Sequence, residues 1–325
     1  MESKTWYCGI DISMDTMDVC YQTKEGEECH LTLSNNKSGF RELLKACPKD
    51  YHFVMESTGV YHLNLVFFLH QKQAVFSVEN ALKIKRYIQM HLERNKTDKK
   101  DAKRIMEYGR DTNPKEFDMP EEAYFACRSL NNAIHDLTKE ITQISNRIHS
   151  LTHSPYDTSE VIRSYRSILK KLREEKTKLL ESLDKKLAEW QPEMLKQIRS
   201  VKGVGQRAAA ELIVYTKAFR GMENYRQLIS YAGLSPVEYS SGSSIRGKSK
   251  ICKQGGSQLR HILYMCALNA KENNRSCRAL YNRLVAKGKN KKLAIIAVCN
   301  KLLKQVYGCV KNQTLYDDDY GKILE

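Results

Sequence analysis

A chain of 325 residues, 41% apolar and 28% charged, is long enough for two or more domains and apolar enough to give them cores. Its net charge of +16 is uneven: residues 1–120 balance to zero, 121–200 carry +2 and 201–325 carry +14, which points the last part at a polyanion, nucleic acid first. No uninterrupted apolar run spans a bilayer, MESKTWYCGIDIS lacks a signal pattern, and no two of the ten cysteines are spaced C-x-x-C. A cytoplasmic protein with reduced thiols, no membrane and no zinc site is therefore expected.

In chain order, TWYCGI (5–10) reads as a strand running into Asp11, followed by strands over 18–24 and 28–34 with a polar Glu25-Gly26-Glu27 turn between them. Helical spacing over 37–46, a strand over 51–57 ending in Glu56, a helix through LNLVFFLHQ and a strand over 74–80 complete a mixed α/β domain that ends near Asn113-Pro114. Leu130, Ile134, Leu137, Ile141, Ile144, Ile148 and Leu151 then form a heptad seam. The seam stops at Ser154-Pro155, and a second helix from about Ser159 to Trp190 carries Ile162, Tyr165, Leu169, Leu172, Leu179, Leu183 and Leu187 on one face. The pair predicts an antiparallel hairpin; one apolar stripe per helix serves packing on itself and pairing with another copy equally well. The Gly203-Val204-Gly205 turn between two helical patterns resembles a helix-hairpin-helix, whose backbone N–H groups approach a phosphate, although a tight helix connection reads the same way. The domains are drawn at 1–118, 119–192 and 193–325.

Four carboxylates sit where a metal-dependent phosphodiester chemistry needs them. Asp11 and Glu56 end strands, and Asp98 and Asp101, spaced i, i+3, share one face of a helix. Residues 83–104 surround the latter pair with nine Lys/Arg against three acids, so they serve either as internal counterions or as metal ligands beside a nucleic-acid backbone. Oxygen ligands suit Mg²⁺ or Mn²⁺. A sugar-kinase or actin-like fold also ends its first strand in Gly-x-Asp, but Asp11 is followed by Ile-Ser-Met-Asp and no Gly-rich phosphate loop appears. The stretch YSSGSSIRGKSK (239–250) reads by composition as a flexible linker.

Taken together, GIDIS, ESTGVYH (56–62), NKTDKKDAKRI (95–105), the GVG turn, YAGLSP (231–236), SSGSSIRGKSKICKQGGSQLRHILYMCA (240–267) and the late basic helix resemble, across nearly the whole chain, the insertion-sequence one-ten family of bridge-RNA-guided DEDD transposases and the related Piv-type invertases. The resemblance implies a RuvC-like N-terminal domain with a ribonuclease H fold, a long coiled-coil hairpin and a mainly helical transposase domain. It assigns Asp11, Glu56, Asp98 and Asp101 to Mg²⁺ (or Mn²⁺). It makes Ser241 the nucleophile that forms a phosphoserine link to DNA, with the acids and metal completing the site; Ser240, Ser243 and Ser244 are its near neighbours.

Arg246, Lys248, Lys250, Lys253, Lys96, Lys99, Gly203 and Gly205 are the expected nucleic-acid contacts. Donor and target DNA, a non-coding bridge RNA from the element, and further copies of the chain (a dimer, or a tetramer on DNA) are the implied partners. Two other readings stand beside this one: a metal-only junction nuclease, and a non-catalytic nucleic-acid-binding assembly protein.

Overall fold

Nearly every residue of the first strand is apolar, so the strand must be covered on both faces. The computed structural model describes residues 5–57, 59–91, 97–237, 240–241, 245–246 and 250–319, and in it β1 (Trp6–Ile12) is buried along most of its length. Antiparallel β2 (Thr16–Gln22) and β3 (Glu28–Ser34) lie to one side of it. After α1 (Lys37–Ala46), the parallel strands β4 (Tyr51–Glu56) and β5 (Phe76–Glu79) lie to the other side, linked by α2 (Leu63–Gln71). The sheet order is β3-β2-β1-β4-β5. With α3 (Ala81–Met90) and α4 (Asp98–Thr112) these elements form the first compact unit, Met1–Met119.

Strand period two divides the unit's core. Cys8, Ile10, Phe53 and Met55 pack with Phe40 and Leu43 of α1 and Leu65 and Leu69 of α2. The alternate residues Tyr7 and Val54 pack with Ile84 of α3 and with Ala102, Ile105 and Met106 of α4. Asp11 and Glu56, in phase with Tyr7 and Val54, therefore share the face that α4 covers. Gly9 is what admits α4 so closely: a Cβ there would collide with the Ala102 carbonyl oxygen and the Met106 amide nitrogen. Farther along the helix, a Cβ on Gly109 would stand 2.8 Å from the Tyr7 ring and 2.9 Å from a Val54 methyl. The helix starts on Thr97, whose Oγ1 accepts from the Lys100 N–H, and ends at Asn113, whose Oδ1 accepts from the Tyr7 hydroxyl at 2.8 Å.

The second unit, Pro120–Glu325, begins with α5 (Glu122–Thr152) and α6 (Ser159–Trp190), which fold back on each other across the Ser154-Pro155 turn. Both predicted stripes are turned from solvent: Ile134, Leu169, Leu183 and Leu187 are buried and the rest are half-buried. Then follow α7 (Pro192–Ser200), α8 (Gln206–Tyr215) and α9 (Tyr225–Tyr231). Four two-residue strands come next, β6 (Pro236–Val237), β7 (Ser240–Ser241), β8 (Ile245–Arg246) and β9 (Lys250–Ile251). Three helices close the unit, α10 (Ser257–Asn273), α11 (Arg275–Ala286) and α12 (Lys291–Asn312).

α12 is the one helix among the described residues long and apolar enough to cross a membrane by length and composition. Half of its most apolar window is buried within the unit, and Ile295, Val298, Leu302, Leu303 and Val306 belong to the common core.

A buried polar cluster joins the hairpin to α8. Glu211, 3% exposed, accepts from Arg207 Nη2 at 3.1 Å and lies 2.7 Å from His135 Nε2, while Arg207 Nη1 donates to Asn131 Oδ1 at 2.5 Å. Burial pushes the Glu211 carboxyl upward, but His135 and Arg207 outweigh it and hold the pKa below the ordinary value of 4.5.

Two expectations follow from this packing. Gly9→Ala overpacks the β1–α4 contact and should cost about 1–3 kcal/mol in urea unfolding. Glu211→Gln leaves the half-buried Arg207 without its nearest counter-charge and should cost about 3 kcal/mol at neutral pH. A carboxylate held low stabilises the fold above its unfolded pKa and loses that contribution as pH falls through its folded pKa. The gap between the two proteins should therefore close as unfolding is measured at pH values progressively below 4.5.

Candidate active site and nucleic-acid interface

The register of the sheet lines up carboxylates across one end of it. Asp11 pairs with Asp18 across β1 and β2, and Glu56 pairs with Glu79 across β4 and β5. Ile10 pairs with Met55, so Asp11 and Glu56 are the next residues along adjacent parallel strands. Asp18, Asp11, Glu56 and Glu79 thus occupy four neighbouring strands on the face covered by α4. Thr32 Oγ1 donates to Asp18 at 2.7 Å, and Lys83 Nζ reaches Glu79 at 2.9 Å. Asp11 and Glu56 are half-buried.

Asp101 lies beside Ala102, the residue seated on Gly9, and is 8% exposed. Asp98 is the first residue of α4, but its side chain lies outside the described residues, as does Lys96; Lys99 is exposed. Like charges on adjacent strands repel unless a cation or a hydrogen-bond donor intervenes. An all-oxygen donor set with one carboxylate this deeply buried suits a hard divalent cation.

Sequence reasoning missed the residues that fix this end of the sheet. Asn35 Nδ2 donates to Ser13 O at 2.9 Å and to Tyr61 O at 3.2 Å, and its backbone N–H donates to Asp15 O at 2.8 Å. It ties the turn after Asp11 to the segment after Glu56. Asp18 and Glu79 were missed as well, since only strand pairing makes them neighbours of the predicted acids. Nearer the sheet's other edge, Cys20 Sγ lies 3.7 Å from His30 Nε2, which lies 2.9 Å from Glu28 Oε1; Lys103 of α4 reaches Glu28 at 2.7 Å. Burial pushes the Cys20 thiol up to about 12, and the hydrogen bond from Lys103 holds Glu28 below its usual range.

In the second unit the serine stretch is a stepped hairpin. β6 pairs with β9 at its base; beyond it, β7 pairs with β8, with Ser240 opposite Arg246 and Ser241 opposite Ile245. Ser241 is the last described residue before 245. The side chains of Ser240, Ser241 and Arg246, and all of Ser243, Ser244 and Lys248, lie outside the described residues. Lys250 and Lys253 are exposed. Two contacts hold the base: Cys252 N–H donates to Ser235 O at 2.9 Å, and Arg260 Nη1 donates to Gly255 O at 2.7 Å and to Ala232 O at 3.2 Å.

The two glycines of the GVG turn differ. Gly203 has φ of +102°, and a Cβ there would stand 2.6 Å from that of Ala270, so packing on α10 demands it. Gly205 caps α8 without a side-chain hydrogen bond, is exposed, and has nothing within 4 Å of its Cβ position. The open helix start belongs to Gly205. Arg278, Arg283, Lys287, Lys289, Lys291 and Lys292 are exposed around the turn from α11 to α12 and give the unit much of its positive surface.

These two constellations, acids on a five-stranded sheet and a basic helical unit bearing a serine hairpin, coincide with the two family models that match the chain. A DEDD transposase model of IS110 covers residues 8–154, and the model described as "Transposase IS116/IS110/IS902 family" covers residues 195–282. The pilin gene-inverting proteins of Moraxella lacunata and Moraxella bovis are each 27% identical over 326 residues, spanning 97% of this chain and 98% of theirs. The uncharacterized 43.6 kDa protein of insertion element IS110 from Streptomyces coelicolor is 29% identical over 120 residues, 37% of this chain and 29% of that one. The protein is an enzyme of DNA recombination, of the transposase and DNA-invertase class. It belongs to the IS110 family of transposases.

The two glycines are separable by experiment. Gly203→Ala should destabilise the protein by more than about 1 kcal/mol through strain and overpacking. Gly205→Ala should cost only about 0.5 kcal/mol as a poorer cap. Urea unfolding of both variants checks the difference.

Proposed function

We propose that the first unit is a RuvC-like, ribonuclease H-type domain in which Asp11, Glu56, Asp98 and Asp101 hold Mg²⁺ or Mn²⁺, and that Ser241 is the nucleophile of DNA strand cleavage. The observation that carries this reading is the carboxylate row: adjacent parallel strands end in Asp11 and Glu56, and the helix laid over them brings a buried Asp101. The strand order, three antiparallel strands followed by two parallel ones, supports the fold assignment. The bound metal would neutralise phosphate charge and polarise the scissile phosphorus–oxygen bond.

Ser241 supplies the attacking oxygen, and the proton it gives up is balanced by the one taken up by the departing strand's oxygen, which leaves as a hydroxyl. The DNA phosphodiester loses one ester oxygen to the leaving strand and gains the serine ester, so the bond energy is kept for rejoining. Arg246, paired with Ser240 in the hairpin ladder, and Lys248, two residues on in sequence, contribute positive charge for the developing phosphorane. Gly205, Lys99, Lys250 and Lys253 hold backbone phosphates by the open helix start and by charge. A bridge RNA pairing with donor and target DNA delegates sequence choice to base pairing, which suits a protein whose cations read backbone. Strand exchange between two duplexes calls for a homo-oligomer, to which the helical hairpin contributes.

The test is recombination by purified protein with its element's DNA and RNA. Ser241→Ala should abolish strand exchange while DNA and RNA binding persist, and denaturant-resistant protein–DNA adducts trapped on nicked substrate should map to Ser241 and vanish in the variant. Asp11→Ala and Glu56→Ala should also lose exchange with the fold intact. An adduct surviving Ser241→Ala, or exchange without one, overturns the serine step and leaves a metal-only nuclease.

A further inference from the structure

We propose that Cys20, Glu28 and His30 form a binding site for a zinc-class divalent transition metal, distinct from the carboxylate row. Strand pairing builds it. Cys20 of β2 stands opposite His30 of β3, and Glu28 precedes His30 by two residues, so all three side chains leave the same face of the sheet. Cys29, between the last two, belongs to the opposite face. The three ligand atoms lie within 4.8 Å of one another.

The spacing fits a tetrahedral ion. Bond lengths of about 2.3 Å to sulfur and about 2.0 Å to nitrogen and oxygen imply tetrahedral edges of roughly 3.6 Å from sulfur to nitrogen and roughly 3.3 Å from nitrogen to oxygen. The corresponding separations are 3.7 and 2.9 Å, so the sulfur–nitrogen edge is already in place and the other opens by a side-chain rotation. One sulfur, one nitrogen and one oxygen select a borderline-soft metal, whereas the all-oxygen row selects Mg²⁺ or Mn²⁺. Cys20 is fully buried and forms the floor, while the His30 and Glu28 side chains are 29% and 38% exposed. That leaves a solvent-facing fourth position and an entry path.

A cation already occupies part of this place. The Lys103 ammonium sits 2.7 Å from one Glu28 oxygen and 3.0 Å from the other. An incoming metal ion displaces that ammonium from Glu28, and the Cys20 thiol releases its proton to solvent as sulfur binds. Lys103 lies two residues beyond Asp101 on α4, so metal binding would exchange a β3–α4 ion pair for a metal centre confined to β2 and β3.

Titration of the full chain with Co²⁺ tests this. The expected result is a thiolate-to-cobalt charge-transfer band in the near ultraviolet with visible bands of a tetrahedral ion, lost on adding Zn²⁺ and unaffected by excess Mg²⁺. Cobalt at the carboxylate row has no sulfur ligand and gives no such band. Cys20→Ser should abolish the band. His30→Gln, a change at a partly exposed position that preserves the fold, should weaken binding about tenfold or more. Lys103→Met should tighten it by removing the competing cation. No charge-transfer band in the native protein, a band undiminished in Cys20→Ser, or unchanged affinity in His30→Gln overturns the site.

Discussion

The first unit depends on how near a helix can come to a strand. Gly9 has no side chain, and the backbone of α4 at Ala102 and Met106 occupies the space where one would be. The arrangement of that face follows from this approach. It brings Asp101 to the strand that carries Asp11, and it seals the sheet with the Tyr7–Val54–Ile105 layer. It also lets a single helix lie across β2, β1 and β4 together. The G-x-D spacing is thus one device: the glycine sets the distance of the helix, and the acid two residues on, in phase, faces what the helix brings.

Much of this was legible in the sequence because it is local. Short, nearly continuous apolar runs gave the strands around Asp11 and Glu56, heptad spacing gave α5 from Leu130 onward, and one apolar face gave α6. The motifs around the four acids and the serine carried the family. What escaped depends on pairing between distant segments. Asp18 and Glu79 look like ordinary surface acids until β2 and β5 are set beside β1 and β4. Cys20 and His30 are ten residues apart with no metal-ligand spacing, and only an antiparallel register makes them neighbours. The serine stretch misleads in another way. Its composition is that of a linker, yet its ends are clamped by Ser235, Cys252 and Arg260, and tertiary anchoring overrides a weak strand propensity.

Charge is handled differently in the two units. In the first, acids gather at one end of a sheet, where Thr32 meets Asp18 and Lys83 meets Glu79. In the second, cations surround an apolar core, and particular acids hold structure together. Glu211 fixes α8 to α5 through Arg207 and His135, and Asp318 binds Lys202 at 3.0 Å. The first arrangement concentrates an electric field on a small volume. The second spreads one over a surface wide enough for a polyanion.

The position of α12 in the chain has a consequence for how the protein is made. Its buried face supplies Ile295, Val298, Leu302, Leu303 and Val306 to a core otherwise drawn from α5 through α11, all of which leave the ribosome earlier. That core stays open during synthesis until residue 306 and its neighbours emerge, whereas every strand and helix of the first unit is complete by residue 112. The acid-bearing unit can therefore fold while the chain is still growing, and the basic unit closes only after α12 is released. Nascent chains pass through a stage in which one end is native and the basic end is not.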